Sequence, residues 1–309
     1  MHIYLPIAET AASVLMLLAM GGAVGFLSGL FGVGGGFLIT PLLMFIGIPA
    51  PVAVGTAAAQ IVASSVSGAL AQYQRRNVDV TLGLVMLSGG LAGTIIGVEI
   101  VRILRSLGQF EVFISLCYVL FLGVIGTLML IESLSTIQSA RDGSAKPQRR
   151  GSTHSWVHGL PFKMRFQRSK LYISVVPPVL IGAFVGFLAA IMGVGGGFVM
   201  VPAMIYLLRV PTNIVVGTSL FQTVFVAAAA TILHAGYLKS VDIVLGALLM
   251  VGGVIGAQFG SSAGTQLKAE QLRLLLAAIV LLVCVRLGWD LVVTPEEFYS
   301  IAHLRGSLP

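Results

Sequence analysis

A chain of 309 residues in which 57% of side chains are hydrophobic and 9% charged has too little polar surface to enclose a water-soluble core of that size. The formal net charge of +7 would suit a nucleic-acid partner, but eight of the 18 Lys and Arg fall between Ser133 and Lys170, a concentration that reads as a membrane topology signal. The long Leu, Ala, Val and Ile runs do not alternate with polar residues, which excludes barrel strands and leaves a bundle of spanning α-helices.

In chain order, no charge occurs between Glu9 and Arg75. The run from Ile7 has no basic leader and continues into further apolar sequence, so a retained helix is expected over about 9–31 rather than a cleaved signal. Segments at about 36–48, 51–73, 80–101 and 111–132 follow, and a second set occupies about 171–192, 197–208, 212–235, 241–262 and 270–292. Residues 36–48 and 197–208 are short: about 12 helical residues rise about 18 Å, against a hydrocarbon core of about 30 Å. They read as half-helices or re-entrant arms, giving about 8–10 transmembrane segments in all. The expected organisation is an N-terminal repeat over 1–132, a basic loop over 133–170 and a C-terminal repeat over 171–309. Cys117 and Cys284 lie inside apolar runs and read as small packing residues.

The duplication is visible in the letters. Gly32–Phe37 reads Gly-Val-Gly-Gly-Gly-Phe and recurs unchanged at Gly193–Phe198. Gly25 matches Gly186 and Pro41 matches Pro202; then Gly55, Thr56 and Gln60 match Gly217, Thr218 and Gln222. Asp79 with Gly89 and Gly90 matches Asp242 with Gly252 and Gly253. Five segments per half is an odd number, so the second copy should start on the opposite face and the two repeats should be inverted across the membrane. Charge placement tests this independently. With 133–170 in the cytoplasm, Arg75, Arg76, Arg209, Lys268 and Arg273 also fall inside, while Arg102, Arg105, Lys239, Arg286 and Arg305 fall outside, as do both termini.

The duplicated glycine string is the strongest local signal for chemistry. Three successive glycines are costly in a membrane helix unless the backbone bends or something approaches it closely. Each string opens a short helix, so N–H groups of Gly34, Gly35, Gly36 and Phe37, and of Gly195, Gly196, Gly197 and Phe198, would face an anion at a positive dipole end. Close helix packing is the competing explanation, and it suits Gly89, Gly93, Gly97, Gly252 and Gly256 better. The string lacks the Lys-Ser/Thr of a phosphate loop and the spacing of a dinucleotide fingerprint.

Thr56 with Gln60, and Thr218 with Gln222, are spaced i, i+4 and share a helical face. Ser64 and Ser67 prolong the first stripe, and Thr223 lies beside the second. Amide and hydroxyl groups can ligate an anion's oxygens without fixing it tightly; the alternative is hydrogen bonding between helices. Asp79 and Asp242 each start a segment and read as helix caps. Glu99 and His234 are the candidate coupling residues, for H+ or Na+. Five His, two Cys and few carboxylates form no metal-ligand spacing and no nucleophile–base pair, so neither an enzyme, a metal site nor a cofactor is expected. The basic loop reads either as a lipid-headgroup contact or as a linker.

Two copies of Gly-x-Gly-Gly-Gly-Phe followed by Pro, then Gly-Thr and Gln, resemble the sulfite exporter TauE/SafE family of permeases over nearly the whole chain. The resemblance implies a bacterial inner-membrane transporter for sulfite or an organosulfonate, with the two repeats forming one transport unit. The 133–170 stretch has no counterpart in that pattern. The partners expected are thus a small anionic solute, membrane lipid and a coupling ion. An anion channel and a non-transporting scaffold are the alternatives.

Overall fold

The computed structural model describes residues 2–31, 36–141, 163–166, 168–169, 171–264 and 269–293. The described residues form ten helices and two short hairpins, in an order that repeats. The first half runs β1 (His2–Leu5), β2 (Thr10–Ser13), α1 (Val14–Phe31), α2 (Gly36–Phe45), α3 (Ala50–Gln74), α4 (Val80–Ser106) and α5 (Phe110–Arg141). The second runs β3 (Lys163–Phe166), β4 (Leu171–Ser174), α6 (Val176–Met192), α7 (Gly197–Tyr206), α8 (Thr212–Gly236), α9 (Ile243–Gly264) and α10 (Ala269–Val292). Six of these helices are long and apolar enough to cross a membrane: α3, α4, α5, α8, α9 and α10.

Prolines set several boundaries. Pro49 and Pro211 sit at the N-caps of α3 and α8, where a fixed φ and a missing N–H cost nothing. The short segments are ten-residue helices, each holding a proline (Pro41 or Pro202), and at 1.5 Å per residue they rise only about 15 Å. Arg76 and Lys239, at equivalent places after α3 and α8, both adopt positive φ (58° and 48°), so the two halves leave these helices by the same turn.

The halves are interleaved. α1 packs on α9 and α6 packs on α4, so the first helix of each half lies against the fourth of the other. Glycines bring the backbones into direct contact. A methyl group placed on Gly25 would come within 2.1 Å of the Gly253 carbonyl oxygen, and one on Gly186 within 2.0 Å of the Gly90 carbonyl oxygen. Gly21, Gly25 and Gly29 meet Leu249, Gly253 and Ala257, so both strips advance by four residues in the same direction and the paired helices run parallel. Gly182 on Met86 and Gly186 on Gly90 repeat the pattern. The same reciprocity holds where Gly55 abuts the Ser240 carbonyl and Gly217 the Asn77 carbonyl. Equivalent elements also pack on each other, α5 on α10 and α3 on α8, and the third helix of each half packs on the fourth of the other.

Each half opens with an antiparallel hairpin, pairing His2 with Ser13 and Lys163 with Ser174. The second hairpin lies partly inside the 133–170 stretch read from sequence as a loop, and α5 continues to Arg141, past the expected end at 132. Four-residue strands are too short to carry a periodic signal, whereas the buried Leu5 and Phe166 at equivalent positions anchor them.

If backbone contact holds the halves together, Gly186→Ala should lower stability by about 1–3 kcal/mol, the usual cost of overpacking. Gly236→Ala, at a helical glycine with nothing within 4 Å, should be neutral or slightly stabilising. Thermal midpoints of the two purified variants in detergent test this, and equal midpoints would contradict it.

Candidate functional site

The short helices meet at their glycine ends. Phe37, in the first turn of α2, stacks on Phe198 in the first turn of α7 with ring centroids 4.6 Å apart and planes 17° apart, and both are buried. Behind this stack, Ile61 of α3 fills the space beside both openings: a methyl group on Gly36 or Gly195 would collide with its side chain. Thr223, which occupies the place of Ile61 in the second half, also lies against Gly195. Gly193, Gly195 and Gly196 all take positive φ (66°, 69° and 76°), which turns the chain from the end of α6 into α7. No side chain caps α7. Among the described residues, the N–H groups of Gly197 and Phe198 have no hydrogen-bond acceptor. Gly34 and Gly35, expected to do the same in the first half, lie outside the described residues.

The two glutamines flank this junction, each facing the other half. Gln60 and Gln222 are buried (0% and 1% exposed). A methyl group on Gly253 would approach within 2.5 Å of Gln60 Nε2, and one on Gly90 within 2.8 Å of Gln222 Nε2. Gln222 Nε2 donates to the Met86 carbonyl at 3.3 Å. Neither Gln60 Nε2 nor Gln60 Oε1 has a hydrogen-bond partner among the described residues, and Gln222 Oε1 has none either. An unpaired buried amide group costs about 1–3 kcal/mol, so three such atoms at equivalent places call for a reason.

The threonines take a different part. Thr56 Oγ1 accepts the Asp242 N–H at 3.1 Å, and Thr218 Oγ1 accepts the Asp79 N–H at 3.0 Å. Each therefore fixes the start of the other half's fourth helix, one turn from its glutamine. The aspartates complete the joint. Asp79 Oδ1 accepts the Leu82 N–H, and Asp242 Oδ1 accepts those of Val244 and Leu245, as helix caps do. The second oxygens bind the hairpin turns across the repeat: Asp79 Oδ2 accepts both the N–H and the hydroxyl of Ser169, at 3.0 and 2.7 Å, and Asp242 Oδ2 accepts the Ile7 N–H at 3.0 Å.

The coupling candidates stand apart from this junction. Glu99 is exposed and pairs with Arg102 on its own helix. His234 is buried near the end of α8, with Nε2 at 2.9 Å from the Ala190 carbonyl oxygen and Nδ1 unpartnered among the described residues. No group of three His, Cys, Asp or Glu able to hold a metal occurs among the described residues.

Two features of the site escaped the sequence reading. Gly90 and Gly253 face the glutamines, while their neighbours Gly89 and Gly252 pack on the carbonyls of Val179 and Leu18. The duplicated Gly-Gly pair was the available signal, since helix packing needs only one glycine per turn. The hairpin latches on Asp79 and Asp242 left no signal beyond the aspartates themselves.

The sequence profile of the family described as Sulfite exporter TauE/SafE matches residues 17–287. The chain is 25% identical over 290 residues to a protein of Bacillus subtilis (strain 168) named Probable membrane transporter protein YunE, covering 90% of this chain and 98% of that one. It is 28% identical to Probable membrane transporter protein YjnA of the same organism, over 86% of this chain and 96% of the relative. A Probable membrane transporter protein of Xylella fastidiosa (strain 9a5c) is 28% identical, over 91% and 97%. No solved structure matches the chain.

The Asp79 joint is testable by stability alone. Asp79→Ala removes one cap bond and two bonds from Ser169 at a buried position, and should cost about 2–4 kcal/mol. Thermal unfolding in detergent would register this, and a wild-type midpoint would show the joint to be idle.

Proposed function

This chain belongs to the sulfite exporter TauE/SafE family, and on that premise we propose that it is a secondary transporter that moves sulfite or an organosulfonate across the bacterial inner membrane by alternating access. The observation that carries the proposal is the pair of buried glutamines with unpaired amide atoms, set against two helix openings at the contact between the halves. An oxyanion of sulfur presents several acceptor oxygens. The amide N–H groups of Gln60 and Gln222 and the backbone N–H groups of Gly197 and Phe198 would meet them without a buried cation. Gly36, Phe37, Gly195 and Gly196 shape the pocket, and Thr56 and Thr218 position the glutamines by holding the helices opposite.

The parallel packing of α1 on α9 and of α6 on α4 supports inversion of the repeats. α3 and α4 are joined by a short turn and run opposite ways, so a first helix parallel to the other half's fourth fits two copies of opposite sense. The proposed topology keeps the 133–170 stretch cytoplasmic and both termini outside. A neutral binding site suits a carrier, since a fixed cation would hold the anion against release. In alternating access the halves rock about the site and open it to one face at a time.

Replacing either glutamine by leucine separates function from stability. Gln60→Leu removes two unpaired buried polar atoms, so the variant should unfold no earlier than wild type, and about 1 kcal/mol later is expected. Uptake of radiolabelled sulfite or a short alkanesulfonate into proteoliposomes should fall at least about tenfold, the effect of losing one charge-assisted contact of about 1.4 kcal/mol. Gln222→Leu should behave likewise. Wild-type uptake in both variants would overturn the site, and a steady anion current without counterflow would replace the carrier with a channel.

A further inference from the structure

A cleft of about 350 Å³ opens between α1, α3, α8 and α9, at the end of α3 that carries Arg75. Ser28, Ser64, Ser67, Gln72 and Arg75 line it, and no carboxylate among its described lining residues offsets the guanidinium. Arg75 is exposed and has no ion-pair partner among the described residues. The stripe leads inward: Ser64 lies one helical turn beyond Gln60 on the same face of α3, so the cleft ends close to the unpaired amide.

The second half does not build this surface. The positions equivalent to Ser28, Ser64, Ser67, Gln72 and Arg75 hold Ala189, Val226, Ala229, His234 and Tyr237. Of these, Ala189, Val226 and His234 are buried, and His234 is tied to the Ala190 carbonyl. The backbone is duplicated while the polar route is not.

We infer that this cleft is the vestibule by which a small sulfur oxyanion reaches the glutamine site from one side, with Arg75 as the charge that selects anions at its mouth. The inference rests on the transport reading above and adds the approach route and a specificity-determining residue that the repeat symmetry does not supply. Serine hydroxyls below the guanidinium would replace the water lost from the anion's oxygens, and with no second cation among the described lining residues the anion stays free to move on.

The test uses the full chain with Cys117→Ser, Cys284→Ala and Ser67→Cys, and reads the rate at which the new thiol forms a mixed disulfide. The probes are anionic sulfonatoethyl methanethiosulfonate and cationic trimethylammonioethyl methanethiosulfonate, each rate divided by that for a free thiol in solution. The anionic probe should react faster by about fivefold or more, as one unpaired charge at a confined mouth predicts. Arg75→Gln should remove most of that preference, Arg76→Gln should leave it, and added alkanesulfonate should slow labelling. Gln72→Cys provides a second reporter should the first fold poorly. Equal rates for the two probes, or a preference that survives Arg75→Gln, would overturn the vestibule even if sulfite transport is intact. A preference that depends on Arg75, in vesicles that move neither sulfite nor sulfonate, would overturn the transport reading instead.

Discussion

Direct backbone contact between α1 and α9, and between α6 and α4, is the constraint on which the rest of the arrangement depends. In lipid, apolar side chains gain nothing by leaving solvent for a neighbouring helix, so association comes from close packing. Gly25 against Gly253 and Gly186 against Gly90 bring main chains together where any side chain would collide with a carbonyl. These contacts cross between the halves, so neither half presents a complete packing surface alone. The same crossing decides what the polar residues face: Gln60 meets the second half's α9 and Gln222 the first half's α4 because the glycine strips have already set those helices at van der Waals distance.

The cross-repeat joint at the ends of these helices follows the same logic. A helix start inside a bundle leaves N–H groups that water cannot reach, and each must find an acceptor. Thr56 and Asp242 answer this for α9, and Thr218 and Asp79 for α4, with the second carboxylate oxygen tied to a hairpin of the opposite half. Helix position and capping are therefore both set by contacts that cross between the halves. Because every one of these bonds crosses between the halves, rocking of one half against the other has to break or rearrange them.

Much of the fold was legible because its causes are local. Long uncharged runs, prolines at Pro49 and Pro211 and the repeated glycine string locate the helix ends to within about five residues, including those of the two short helices, except that α5 continues to Arg141. Gln60 and Gln222 were legible as a pair because duplication kept the same polar residue in two apolar helices. What the letters could not convey was partnership. Nothing in Thr56 alone shows that its hydroxyl oxygen accepts the N–H of Asp242, 186 positions away, while its own O–H stays free to donate. The hairpins were illegible for another reason: four-residue strands are below the length at which alternation can be told from chance. Glu99 shows what the letters also leave out: the carboxylate is legible near the end of a span, but its exposure and its pairing with Arg102 one turn on are not.

The two halves have diverged in what they place around a shared backbone, and that divergence carries the argument for a directional route. Packing glycines must stay paired, since a side chain on either partner would separate the helices, so duplication persists at Gly25 and Gly186, and at Gly90 and Gly253. Residues lining the approach are under no such constraint. On one side they became serine, glutamine and arginine; on the other, alanine, valine, histidine and tyrosine. If the two approaches opened alternately, one would present hydroxyls and a guanidinium and the other alanine, valine, an imidazole, a phenol and, at the place of Ser262, the carboxylate of Glu99 paired with Arg102. An anion would then enter and leave the same neutral site through two different environments. Affinity at the centre would be set by Gln60 and Gln222, and the rates of access by residues that differ between the halves.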